Sequence, residues 1–139
     1  MVVKPTRWDR AILERPKVAV ASVEVTSEQA GYAKSNIVDG DDFSWWIAGG
    51  DTFPQTVTLT LAQATDVAAC RIRLQKDSSS YEYRVESSED GLSWQPLYSH
   101  KCTGWDFKPV RIDKRMKYIR VTFDATSGGR AGLAEITLY

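Results

Sequence analysis

The 139-residue chain contains one histidine, one asparagine and two cysteines, and each scarcity removes a class of chemistry. Zinc sites draw on closely spaced His and Cys ligands; His100, Cys70 and Cys102 form no such cluster in the sequence. A serine hydrolase needs a histidine base beside its nucleophile and a carboxylate behind that base. Ser99 and His100 are adjacent, and neighbours on a strand point to opposite faces. His100 therefore reads as an exposed or satisfied strand residue. Asp41 and Asp42 are adjacent as well, which suits them poorly to oppose each other across a sugar, as glycosidase carboxylates must. Gly49-Gly50 and Gly128-Gly129 are followed by no Gly-Lys-Ser/Thr, so they read as turns rather than phosphate loops. No enzyme activity is expected. Asn36 precedes Ile37-Val38, which leaves no acceptor for N-glycosylation.

An excess of charge is also missing. Lys+Arg and Asp+Glu each number 18, giving a net charge of zero. No basic stripe appears, so a nucleic-acid partner is not expected. No apolar run approaches the length needed to span a membrane. Met1–Thr6 lacks the apolar segment of a signal peptide; a leader already removed, or a longer parent protein, fits the stretch equally. The length suits one domain, large enough to bury a core without staples. Cys70 lies in the apolar run Val67–Ile72, where a buried free thiol is the ordinary outcome. A Cys70–Cys102 disulfide is the alternative, and the compartment would decide it.

What the chain does have is strand patterning. Residues 7–14 carry apolar side chains at helical spacing, but eight residues are too few for a stable isolated helix, and Pro16 ends any helix there. Residues 1–16 are read as an extension or the tail of a preceding domain, and 17–139 as the folded domain. Val57, Leu59 and Leu61 alternate with threonines, the pattern of a half-buried strand. Cys70, Ile72 and Leu74 alternate with arginines, and Tyr81, Tyr83 and Val85 with Glu82, Arg84 and Glu86. Further strands are expected over Val18–Val25, Val110–Asp113, Tyr118–Phe123 and Glu135–Tyr139. Glu89-Asp90-Gly91 reads as a hairpin turn, glycine supplying the positive φ. Short strands separated by turn residues argue an all-β sandwich. The longer connections, Trp45–Thr52, Gln75–Ser80, Lys101–Phe107 and Asp124–Arg130, are where binding residues would sit.

One acidic stretch stands out. Asp39, Asp41 and Asp42 with Ser44 surround Gly40, with Trp45-Trp46 behind them. Hard cations take their ligands from such oxygens, and a turn at Gly40 can aim Asp39 and Asp41 at one point. A solvated acidic turn has the same composition.

Asp39-Gly40-Asp41-x-x-Ser44-x-Trp46, Phe53–Leu61 with its Pro-Gln, Tyr83–Trp94 with its Asp-Gly turn, and the late Ala131-x-x-Ala134-Glu135-Ile136 resemble, in this order, the factor V/VIII type C, or discoidin, family. That family includes the family 32 carbohydrate-binding modules. The resemblance runs from about Lys17 to Tyr139 and implies a galactose-binding-like jelly roll of about eight main antiparallel strands. It implies a structural calcium held by Asp39, Asp41, Ser44 and Glu135 with carbonyls near Asn36, Ser44 and Ala134. Trp46 and Trp94 match core positions of the family.

For function it implies a non-catalytic carbohydrate-binding module of a larger glycan-active protein, secreted, periplasmic or at the cell surface, covalently joined to other domains and itself a monomer. A protein-interaction or structural appendage of the same fold is the alternative. Membrane binding, as in the clotting relatives, is weaker, because acidic residues flank Trp45-Trp46-Ile47 and repel anionic lipid. Sugar contacts are expected from Trp45, Lys76, Asp77, Trp105 and Arg130. Tryptophan faces stack on pyranose rings, although covering the core rim is an equal use of Trp45 and Trp105. The chain departs from the sugar-binding pattern at three places. Ile47 stands where many relatives carry histidine, Gln75-Lys76-Asp77 where many carry arginine, and Arg130 where many carry an aromatic residue. Arg130 points toward an acidic sugar.

Overall fold

A computed structural model describes residues 14–76, 79–104 and 109–139. The expected helical spacing over residues 7–13 lies outside the described residues. Seven strands and one five-residue 3₁₀ helix make up the described chain: β1 (Val20–Val25), the helix Lys34–Val38, β2 (Trp46–Ile47), β3 (Gln55–Leu74), β4 (Ser80–Ser88), β5 (Gln95–Thr103), β6 (Val110–Thr126) and β7 (Gly132–Leu138). All pairings are antiparallel. The order is β2-β7-β3-β6-β4-β5, with β1 also on β3. This is the expected all-β jelly-roll sandwich.

Two strands are longer than their sequence suggests. Val57–Leu61 and Cys70–Leu74 belong to one strand, β3, and Val110–Ile112 and Tyr118–Phe123 to another, β6. The polar stretches between them are not turns. Register shifts between Thr60 and Thr65 and between Val67 and Ala69 absorb extra residues, and Asp113 takes a positive φ of 43°. Bulges of this kind bend and twist a strand without ending it. Val57, Leu59 and Leu61 therefore share one core with Cys70, Ile72 and Leu74, and the two halves of the sheet face each other across it.

Phe123 sits at the middle of that core. The rings of Trp46, Tyr81 and Tyr83 lie 5.8–6.3 Å from it, in the tilted and edge contacts aromatic pairs favour. Trp46 is fully buried, and its indole N–H donates to Ser27 O at 2.9 Å. Trp94 is only half-buried; the Arg120 guanidinium lies over its ring at 4.1 Å, so this tryptophan is structural at the rim rather than in the core. No disulfide joins Cys70 and Cys102, and burial pushes the Cys70 thiol up to about 12. Asp90 organises the β4–β5 turn: its Oδ1 accepts the N–H groups of Leu92 and Ser93 and the Ser88 hydroxyl, while Gly91 takes a φ of 80°.

β7 carries the irregularity that matters for the acidic turn. Arg73 pairs with Glu135 but Leu74 with Leu133, so Ala134 is an extra residue. Leu133 and Ile136, three apart, would face opposite sides of a regular strand. The extra residue lets both enter the core and sends Glu135 and Thr137 to the far face with Arg71 and Arg73. All seven residues of β7 are buried.

Candidate binding site

The Asp39–Ser44 turn closes over that far face. The 3₁₀ helix ends at Asp39, and Gly40 follows with a φ of 78°. Asp39 Oδ1 accepts the Asp41 N–H at 2.9 Å, and Asp39 Oδ2 accepts the Ser44 hydroxyl. The Gly40 N–H donates to Glu135 Oε1 at 3.1 Å, tying the turn to β7. Asn36 Nδ2 donates to the Trp45 carbonyl at 3.0 Å. The Asp41 carboxylate turns away to accept the Phe43 N–H at 2.8 Å. Asp42, absent from the expected ligand set, receives the Arg71 guanidinium through both oxygens, at 3.3 and 2.9 Å. Arg71 holds the Asp42 carboxyl below its ordinary range. Arg73, 7 % exposed, donates from Nε to Asp42 O at 3.1 Å and lies 5.2 Å below the Phe43 ring.

Glu135 is 5 % exposed. Burial, and after it the charge and hydrogen bond of Asp39, push its carboxyl up to about 8, against the lowering pull of the Gly40 N–H. Two acids thus crowd one point beside a hydroxyl. Among the described residues no three His, Cys, Asp or Glu side chains gather as metal ligands. A hard cation here would rest on the Asp39 and Glu135 carboxylates plus neutral oxygens: the Ser44 hydroxyl, which lies 3.3 Å from Asp41 O, and carbonyls such as that of the bulged Ala134. That oxygen-only set fits calcium.

The second region is the end of the sandwich where three connections meet. Gly104 N–H donates to Ser79 O, Ser127 N–H and Thr126 Oγ1 to Ser80 O, and Ser80 N–H to Ser127 Oγ. These bonds bring together the expected connections 75–80, 101–107 and 124–130. Between them opens a groove of about 560 Å³, with Ser80, Glu82, Lys101, Thr103 and Ser127 in its walls. Hydroxyls and one acid–base pair stand in it beside apolar walls from Tyr81, Cys102 and Ala125, and no wall of it is an exposed aromatic among the described residues. Sequence reasoning placed the loops but passed over these side chains; the small, hydroxyl-rich runs Ser78–Ser80 and Ser127-Gly128-Gly129 were the available signal.

Lys76 lies beside the Gly128 turn. A Cβ at Gly128 would come within 2.7 Å of Ser79 Oγ and 3.5 Å of Lys76 Nζ, so glycine there keeps the ammonium and hydroxyl side by side over the turn. The Lys76 N–H donates to Tyr81 Oη at 3.0 Å. Arg130, exposed, precedes β7 at the same end and donates to Gln29 Oε1 at 2.8 Å. Trp45 does not join them. Trp46 pairs with Leu133 and Ile47 with Gly132, which puts Trp45 and Arg130 four rungs apart, about 13 Å along the strands. Asp77 and Trp105 lie outside the described residues. Trp46 is buried and Ile47 half-buried, so Trp45-Trp46-Ile47 presents no apolar tip; among the described residues the large apolar side chains most exposed are Phe43 and Leu92. No described helix is long and apolar enough to cross a membrane.

The family model of the F5/8 type C domain matches residues 21–136. No curated protein sequence matches the chain. Among solved structures it is similar to the CBM32 of AlyQ in complex with 4,5-unsaturated mannuronic acid, at 20 % identity and a TM-score of 0.77, covering 90 % of this chain and 98 % of that one. It is similar to the family 32 CBM of C. perfringens NanJ in complex with galactose, at 20 % identity and a TM-score of 0.76, covering 88 % and 98 %. A pectin-binding carbohydrate-binding module aligns at 24 % identity with a TM-score of 0.72, over 87 % and 91 % of the two chains. At these identities the likeness shows the shared fold.

Proposed function

This chain belongs to the F5/8 type C domain family, and on that premise we propose that it is a non-catalytic carbohydrate-binding module. The observation that carries the proposal is the loop-end groove: three connections are bonded together around one open depression that presents hydroxyls and a Glu82–Lys101 pair, with Lys76 beside the adjoining Gly128 turn and Arg130 in the connection that follows it. Rigid scaffolds that display polar loops are where binding concentrates. A shallow site with few contacts binds weakly, on the order of 0.1–1 mM. Joining the module to a catalytic domain in a longer protein raises its effective concentration at the glycan. The similar AlyQ chain, of which this domain covers 32 %, also holds an alginate lyase domain. Two similar structures hold galactose and an unsaturated mannuronic acid, and a third binds pectin; neutral and acidic sugars are therefore both to be tried. The module acts as a monomer outside the cytoplasm.

Calcium completes the reading. Asp39, Ser44 and Glu135 would hold it, supplying two negative charges and a hydroxyl, and its chemistry is structural: it neutralises two crowded acids and clamps the turn onto β7.

Calorimetry or NMR titration against galactose, N-acetylglucosamine, mannuronic acid and galacturonic acid tests the proposal. Binding weakened at least fivefold by Lys76→Ala or Arg130→Ala supports the loop-end site. Binding lost in Trp45→Ala alone moves the site to the other end of the β2–β7 pair. Absence of binding to any sugar favours the protein-interaction appendage.

A further inference from the structure

The groove does not end at the loops. A second depression of about 280 Å³ continues from it along the outer face of β4, β5 and β6, lined by Glu82, Ser99, Lys101 and Asp124 among others. Glu82 and Lys101 wall both depressions. Opposite residues on the β4–β5 pair explain the continuity: Ser80 faces Thr103, Glu82 faces Lys101 and Arg84 faces Ser99. Side chains two apart on a strand line one face, so Ser80, Glu82 and Arg84 form a track about 13 Å long. That length exceeds a single sugar and matches a short oligosaccharide.

The chemistry of the track is balanced in sign. Arg84 Nε donates to Asp124 Oδ2 at 3.0 Å, a fixed pair at the far end. Glu82 and Lys101 stand 4.0 Å apart, with their side chains 47 % and 80 % exposed. At that separation and exposure the pair is loose and contributes little to stability. A vicinal diol can take its place between them, one hydroxyl donating to the Glu82 carboxylate and the other accepting from the Lys101 ammonium. Charge-assisted bonds of this kind are the stronger ones. With Arg84 bonded to Asp124 and Lys101 beside Glu82, the track offers a polyanion no net positive charge. Hence the track suits neutral hydroxyls.

We infer that the ligand is a glycan chain of two or more residues, its first residue in the loop-end groove and its next, neutral residue seated between Glu82 and Lys101. This rests on the carbohydrate-binding reading above and extends it from a terminal sugar to a chain.

The test is calorimetry on the full chain with galactose, N-acetylglucosamine and galacturonic acid, and with the trisaccharide of each. At least one neutral trisaccharide should bind tenfold or more tightly than its monosaccharide, and trigalacturonic acid should gain less over its own. Lys101→Ala and Glu82→Gln, each with an unchanged melting curve, should remove that gain by lowering trisaccharide affinity by a larger factor than monosaccharide affinity; Lys101→Arg should keep part of it. Equal affinities for monosaccharide and trisaccharide, or a gain that survives both substitutions, would overturn the inference while leaving the carbohydrate reading in place. No binding to any of the sugars overturns the carbohydrate reading and the inference with it.

Discussion

The Asp39–Ser44 turn and the groove beside Ser80 both gather acids, hydroxyls and basic side chains, yet they use them differently. In the turn almost every polar group is engaged within the protein: Asp39 by Asp41 and Ser44, Asp41 by Phe43, Asp42 by Arg71, Glu135 by Gly40. In the groove the backbones of Ser80 and Ser127 and the Ser127 hydroxyl are bonded to each other, while Glu82 and Lys101 meet only loosely. Buried polar groups must find partners or impose a large cost; exposed ones can wait for a ligand. The contrast separates a part whose polar groups hold the fold from a part whose charged side chains stay open to solvent, and it can be attacked from either side.

The largest effect is expected beneath the turn. Trp46→Ala removes a fully buried indole against Phe123 and should lower unfolding free energy by about 3–5 kcal/mol, measured by denaturant titration. Next is metal removal. With calcium at a hundred times its dissociation constant, EDTA should cost about 2.7 kcal/mol. The melting temperature should fall in the parent and stay fixed in Asp39→Ala; a parent indifferent to EDTA would leave the turn without a cation. Arg71→Ala follows, leaving the half-buried Asp42 carboxylate without its bidentate partner, at about 2 kcal/mol by the same denaturant measurement. The smallest effect on stability belongs to the groove: Lys76→Ala should change unfolding by less than about 0.5 kcal/mol and still weaken sugar binding. A groove substitution that destabilises like Arg71→Ala would erase the distinction between the two regions.

How much of this was legible depends on the distance over which each residue finds its partner. Strict alternation at Val57-Leu59-Leu61 and Tyr81-Tyr83-Val85 reports a buried face directly, because the strand period is two. The same rule misreads Lys114–Lys117 and Ala62–Asp66, where bulges keep β6 and β3 continuous through polar runs. β5 shows little alternation because it is an edge strand, mostly exposed on both faces. In the acidic turn the sequence displays the carboxylates but not their allocation. Asp42 is claimed by Arg71, 29 residues away, and only the β3 register places that arginine beneath the turn. Lys76 and Arg130 lie in connections that turn signals in the sequence mark out. Trp45 was not separable from them, since its distance follows from the β2–β7 pairing rather than from any local pattern.

β7 lies between β2 and β3, so its place is in the interior of the sheet rather than at a margin. During synthesis the ribosome releases β1 through β6 before the segment Gly132–Leu138 appears. Until it does, the half of β3 that β7 covers keeps an unpaired flank, Leu74 and Ile72 lack Leu133 and Ile136 across from them, and Gly40 has no Glu135 to bond. The nascent chain thus carries an open, adhesive strand until the residues that follow β6 are translated. Pairings this remote in sequence form slowly. An unpaired strand flank is what this strand order leaves until then, and the completed turn is what ends it.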